Sequence, residues 1–348
     1  MTALATVVLV AVATALALTW QTTSPHASRR AATISTVARS APPTRHSRPH
    51  PAPAPGTHAS LPQAVAVGLR VLTFVDRARS VHLLSGSVEP RTLVTEVRYP
   101  ARGRADAGDV RNAAPLRGPG PYPLVVFGQG FAVTPDVYAG LLDAWVRAGY
   151  VVASPVFQLG SPSAPGGMNE ADLVNWPRDM SFVISRMLDA GSASSGPLAG
   201  LIDRHRIAVS GQSDGGDTAL AISFDPTLRD PRVDATVILS GAEIPMLGAF
   251  AFPTHGPPLL ATQGTADTIN LPSATQTFFT AAPRPKFLLT LLGAPHLPPY
   301  TTEQPYLSVI ERVTIAFLDH YVRREGPALA TMRVAGSVKG VATLQADL

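Results

Sequence analysis

Cysteine is absent from all 348 residues, which excludes disulfide bonds, thiolate metal centres, iron–sulfur clusters and a cysteine nucleophile. Acidic residues are absent from the first sixty positions, where Arg29, Arg30, Arg39, Arg45 and Arg48 are the only basic residues among the 28 Lys and Arg. All 24 Asp and Glu lie beyond them, so the net charge of +4 belongs to the N-terminal arm and the rest of the chain is close to neutral. Beyond Trp20 that arm contains no Phe, Tyr or Trp on which a base could stack, and Pro breaks it repeatedly, which argues against nucleic-acid binding. The phosphate-cradling patterns G-x-x-x-x-G-K-[ST] and G-x-G-x-x-G are both missing from the glycine-rich turn near residue 211. His and carboxylates are nowhere clustered at ligand spacing outside the triad proposed below, so no metal and no organic cofactor is expected.

What the chain does have begins with an apolar leader. Residues 3–20 contain no charge, and as a helix they would reach about 27 Å, nearly the thickness of a bilayer core. Residues 1–20 therefore read as a signal peptide or signal anchor; Ala15, Ala17 and Ala27 offer small-residue cleavage sites, but no basic residue precedes the run. Residues 21–61, rich in Pro, Ala and Arg, read as a solvated tether with nothing to bury. Leader and tether together predict a secreted or extracytoplasmic protein, with membrane attachment through residues 3–20 if the leader is retained.

Residues 62–325 change character: short apolar strands alternate with amphipathic helices, the pattern of a largely parallel α/β sheet. Strands are expected at 91–99, 124–127, 150–154, 206–210, 235–240, 258–263 and 286–292. Helices are expected near 135–148, 177–188, 214–223, 272–281 and 305–323, with a long Gly/Pro/Ser loop through 160–175. Residues 326–348 show weak periodicity and read as a C-terminal tail.

The strand RIAVS is followed at once by Gly211-Gln212-Ser213-Asp214-Gly215-Gly216 and a helix-forming run. G-x-S-x-G in strand, turn, helix context is the pattern of a nucleophile elbow, where a serine on a sharp turn projects from the carboxyl end of its strand. Partners follow in the order serine, acid, histidine: Asp267 after the strand ending near Gln263, and His296 after the last strand. In a parallel sheet those carboxyl ends share one edge, so the three can converge. Glu243 is the competing acid, while His205, His255 and His320 are weaker candidates for the base. An oxyanion hole needs two backbone N–H groups, expected from Asp214 and from Phe131 in the loop Gly128-Gln129-Gly130-Phe131. Phe131, Met168 and Trp176 are candidate walls of a substrate pocket.

The strings PLVVFGQGF, GQSDGG, LLATQGTADTIN and GAPHLPPY resemble the α/β-hydrolase superfamily over roughly residues 66–323. The likeness is to its esterase and lipase branch, which includes cutinase-like polyester hydrolases, plasma-type platelet-activating-factor acetylhydrolases and chlorophyllase-like proteins. It implies a mostly parallel central sheet with helices on both faces and the triad Ser213, Asp267, His296. It also implies oxyanion donors at Phe131 and Asp214, and a small-molecule, lipid or polymer ester as substrate. Two positions depart from the family's habit: Gln129-Gly130 stands where His-Gly is frequent, and Asp214 follows the serine where an uncharged residue is common. Other readings of the same residues are a peptidase or thioesterase on this triad, or an exported binding or anchoring protein without catalysis.

Overall fold

The chain enters its sheet through a long antiparallel hairpin, β1 (Ala66–His82) and β2 (Val88–Ala101), with the two-residue β3 (Val110–Arg111) parallel to β1. In the computed structural model that reveals this, residues 65–104, 108–248 and 250–348 are described; the leader and the whole of the expected tether lie outside them. Strands β4 (Tyr122–Gly128), β5 (Val151–Val156), β6 (Ile202–Gln212), β7 (Ala235–Leu239), β8 (Leu259–Gly264) and β9 (Lys286–Leu291) follow, and β10 (Ala342–Asp347) closes the far edge. The ten strands form one sheet in the order β10-β9-β8-β7-β6-β4-β5-β2-β1-β3. Neighbours from β9 to β5 are parallel, and the antiparallel pairs are β10 with β9, β5 with β2 and β2 with β1.

Parallel strands covered on both faces read as continuous apolar runs, because neither side meets water. YPLVVFG of β4 and ATVIL of β7 are buried throughout. Along β4, Leu124 and Val126 join one core while Val125 and Phe127 join the other. The first core is closed by α2 (Trp176–Ser192), α3 (Asp214–Phe224) and α4 (Pro272–Ala281), the second by α1 (Ala139–Arg147), α5 (Tyr306–Tyr321) and α6 (Ala328–Ala335). The protein is thus α/β, with a mostly parallel mixed sheet and helices on both faces.

The elements differ from the sequence expectation in several places, the unexpected 17-residue β1 among them. The predicted helix at 135–148 starts as a 3₁₀ turn over Pro135–Tyr138, because Pro135 can begin a turn but supplies no N–H, and only then becomes α1. The 160–175 loop ends in a 3₁₀ turn, Glu170–Asn175, capped by the Asn169 side chain accepting from the Ala171 N–H. Residues 326–348 are no tail: α6 buries Met332 in the second core, and β10 pairs with β9 from Ala342↔Leu291 to Asp347↔Lys286. All described elements belong to one compact unit.

Candidate active site

A β-carbon on Gly211 would lie 2.1 Å from the Gly215 carbonyl oxygen, and one on Gly215 would lie 2.1 Å from the Gly128 oxygen. Only glycine at both positions lets the chain turn this tightly between β6 and α3 and lets the β4 loop press against the turn. Ser213 sits at the apex with φ 54° and ψ −127°, a backbone conformation that costs a non-glycine residue on the order of 1–3 kcal/mol. Its N–H bonds to the Leu239 carbonyl at 3.0 Å, and its own carbonyl accepts from Asp217 N–H at 2.9 Å, which holds the turn from both sides.

The acid and the histidine arrive on the neighbouring loops. After β8, the Thr265 N–H bonds to Leu291 O at 2.9 Å and the Ala266 N–H to Ala294 O at 3.1 Å, so the loops following β8 and β9 are stitched together. His296 Nδ1 lies 2.7 Å from Asp267 Oδ2. The same Asp267 oxygen accepts from Gln263 Nε2 at 3.1 Å, while Oδ1 accepts from the N–H groups of Ile269 and Asn270 at 2.9 and 3.0 Å. Burial pushes this carboxyl up, but the bond and charge of His296 and the other donors outweigh it and hold Asp267 below the ordinary carboxylate range. Asp267 is 2% exposed, so it is an acceptor fixed as the anion inside the protein.

The other ring nitrogen, His296 Nε2, lies 3.2 Å from Gln212 Nε2, which also donates to the His296 carbonyl at 3.2 Å. The structure therefore brings the ring to the elbow, but its partner there is the residue before the serine, and no Ser213–His296 hydrogen bond is formed. Gln212 Oε1 in turn accepts from Tyr138 Oη–H at 2.8 Å, and that hydroxyl accepts from the Gly130 N–H at 3.2 Å. Neither Gln212 nor Tyr138 was legible as a site residue in the sequence, because one fills the variable position of G-x-S-x-G and the other looks like one more core aromatic. The parity of β6 was the available signal: Ala208 and Gln212 share a face, and Ala208 belongs to the core that contains Tyr138.

Of the expected oxyanion donors, Phe131 lies on the loop after β4 that packs on the elbow, and Asp214 belongs to the elbow itself. A β-carbon on Gly130 would lie 3.3 Å from Ser213 Cβ. The Gly130 and Ala132 N–H groups are committed, the latter to Gly160 O at 2.8 Å, and the Phe131 N–H between them takes no acceptor among the described residues. Asp214 opens α3, where the first-turn N–H groups of a helix have no intrahelical acceptor.

The Asp214 carboxyl is pushed up to about 6, chiefly by burial, with the charge of Glu170 adding to the rise and His296 opposing it. Its Oδ2 is buried without a hydrogen-bond partner. Burial likewise lifts Asp217 well above its ordinary value, although its Oδ1 accepts from the Ala242 N–H. Glu170 is carried by the 3₁₀ turn before α2, and that turn is clamped by Arg91, which bonds Asp172 at 2.6 Å and Asp179 at 2.6 Å in a fully buried ion-pair set.

The remaining candidates fall elsewhere. Trp176 is not a pocket wall: it is fully buried, stacked on Phe157 with ring centroids 4.1 Å apart. Phe131 packs half-buried against the first core, and Met168 is 41% exposed on its loop. Asp267, not Glu243, bonds His296. His205 and His255 are exposed, and His320, in the last turn of α5, has its Nδ1 3.1 Å from the Glu325 carbonyl. No cluster of three or more His, Asp or Glu able to hold a metal occurs among the described residues. No helix among them is long and apolar enough to cross a membrane.

A comparison with protein-family models finds no match, and a search of curated proteins finds none either. The fold and site define an α/β protein with an aspartate–histidine pair beside the turn that carries a strained serine, at the carboxyl edge of its sheet.

Proposed function

We propose that this chain is a serine carboxylic-ester hydrolase of the α/β-hydrolase kind, acting through an acyl-enzyme on Ser213. The observation that carries the reading is the 2.7 Å bond between His296 Nδ1 and Asp267 Oδ2, with the opposite ring nitrogen turned to the elbow that holds Ser213. Ser213 Oγ attacks the ester carbonyl carbon while its proton passes to His296 Nε2, and Asp267 stabilises the imidazolium that forms. The carbonyl oxygen becomes an oxyanion, met by the Phe131 and Asp214 N–H groups. Collapse of that intermediate breaks the bond to the alcohol, which leaves with the proton from His296. Water, deprotonated by His296, then attacks the acyl carbon, and the carboxylic acid departs as the proton returns to Ser213.

An apolar acyl group suits the rim. Val174, Met246, Ile269 and Leu271 are all exposed, and they sit on the loop before α2 and on loops that leave the carboxyl ends of β7 and β8. We place the protein outside the cytoplasm, on the strength of the apolar run at residues 3–20 and the tether behind it.

The test is hydrolysis of p-nitrophenyl esters of increasing acyl length, run beside the matching amide and thioester. Ester turnover should exceed both, and Ser213→Ala should reduce it by on the order of 10⁴ to 10⁶. Turnover that survives Ser213→Ala would overturn the assignment.

A further inference from the structure

Between the histidine and the oxyanion loop runs a buried chain of hydrogen bonds that the mechanism above does not use. Gln212 is 1% exposed and its side-chain amide is fully engaged. One N–H goes to the His296 carbonyl, a group that can only accept, so the nitrogen end of the amide faces the histidine loop. The same amide nitrogen lies 3.2 Å from His296 Nε2, which can accept from it only through its lone pair. The proton of the neutral ring is then on Nδ1, shared with Asp267 Oδ2. At the oxygen end, Tyr138 Oη–H donates to Gln212 Oε1 at 2.8 Å and accepts from the Gly130 N–H at 3.2 Å, one residue before the Phe131 amide. A β-carbon on Gly130 would come within 2.8 Å of Gln212 Oε1, so loop and amide are in direct contact.

We infer that Gln212 is a positioning residue: its amide donates to the His296 carbonyl and to the Nε2 lone pair that Asp267 leaves free by holding the proton on Nδ1, and through Tyr138 it locks that ring in register with the oxyanion loop. The role rests on the ester-hydrolase reading for its rate consequences, but the hydrogen bond to Nε2 does not depend on it. Neither Gln212 nor Tyr138 needs to touch substrate. As Ser213 Oγ–H moves in on Nε2, the Gln212 N–H gives way while its bond to the His296 carbonyl keeps the loop in place. Loss of the amide should therefore slow the chemical step and leave substrate affinity nearly unchanged.

Two readouts on the full chain test this. With p-nitrophenyl butyrate, Gln212→Leu should lower kcat roughly tenfold or more, the worth of about one well-placed hydrogen bond, with KM within about twofold. Tyr138→Phe, which keeps the ring and removes only the hydroxyl, should lower kcat in the same sense by a smaller factor. It also stands in if Gln212→Leu does not fold. Independently of any activity, ¹⁵N NMR of histidine-labelled protein, with His296 assigned by its loss in His296→Ala, should show Nδ1 protonated and Nε2 unprotonated in the parent. In either variant the tautomer should stay the same while the Nε2 resonance moves downfield, because the donor to its lone pair is lost or displaced. Parental kcat together with unchanged nitrogen shifts in both variants would overturn the inference, and so would a rise in kcat, which would make Gln212 a brake on the base. An inert parent whose Nε2 resonance moves in the variants would sink the hydrolase reading while leaving the positioning role intact.

Discussion

At the scale of single residues, the least expected feature is a carboxylate directly after the serine. Asp214 has a folded value of about 6 against an ordinary 3.8, because burial and the Glu170 charge disfavour its anion. Between about pH 4 and 6 the folded protein keeps a proton that the unfolded chain has lost, so stability falls as pH rises through that window. Discounted for its partial exposure, the full loss is roughly 2 kcal/mol above pH 6. Asp214→Asn, which retains the backbone N–H, should raise the Tm relative to the parent at pH 7.5 and match it at pH 4. Thermal melts at the two pH values check this, and an equal offset at both would mean that the carboxylate charge is not the cause. Sequence reasoning singled out Ser213, Asp267 and His296 because their residue types and order follow a recognisable pattern, and the structure pairs Asp267 with His296 beside the turn that carries Ser213. It could not find Gln212, since nothing in the string shows that its amide reaches the histidine 84 residues on.

At the scale of elements, the strands most legible are those buried on both faces, such as LVVF of β4 and ATVIL of β7, while β2 was legible over 91–99 from its alternation. The hairpin strand β1 was not. Arg70, Asp76, Arg77 and Arg79 interrupt its alternation, and much of its length is half-exposed at the sheet's edge. The C-terminal elements were missed for a related reason: α6 buries only Ala328 and Met332, so its stripe is too narrow to register as a period. Their contribution is nonetheless structural, because β10 supplies the outer partner of β9, the strand that delivers His296. Ending the chain at Gly326 should remove that partner and empty the Met332 site, a loss of about 2–5 kcal/mol for the methionine alone. A fall in Tm of at least about 5 °C is expected by calorimetry. An unchanged melt would show that residues 327–348 are dispensable, as the sequence first suggested.

At the scale of the whole molecule, the sheet's carboxyl edge assembles a serine, an aspartate and a histidine that lie up to 83 positions apart in sequence, and the leader and tether contribute none of them. Removing residues 1–60 should leave a soluble protein with the full esterase rate, assayed beside the intact chain, whereas aggregation or lost activity would make the leader part of the fold. The central claim, that Ser213 is a nucleophile activated by His296, is tested most directly by mapping the site of covalent labelling with a fluorophosphonate at neutral pH. Only a hydroxyl activated by an adjacent base reacts efficiently. Mass spectrometry of the digested adduct should place a single phosphonyl group on Ser213, with labelling abolished in Ser213→Ala and severely slowed in His296→Ala. Modification of another residue, or no modification of an intact, folded protein, would contradict the account.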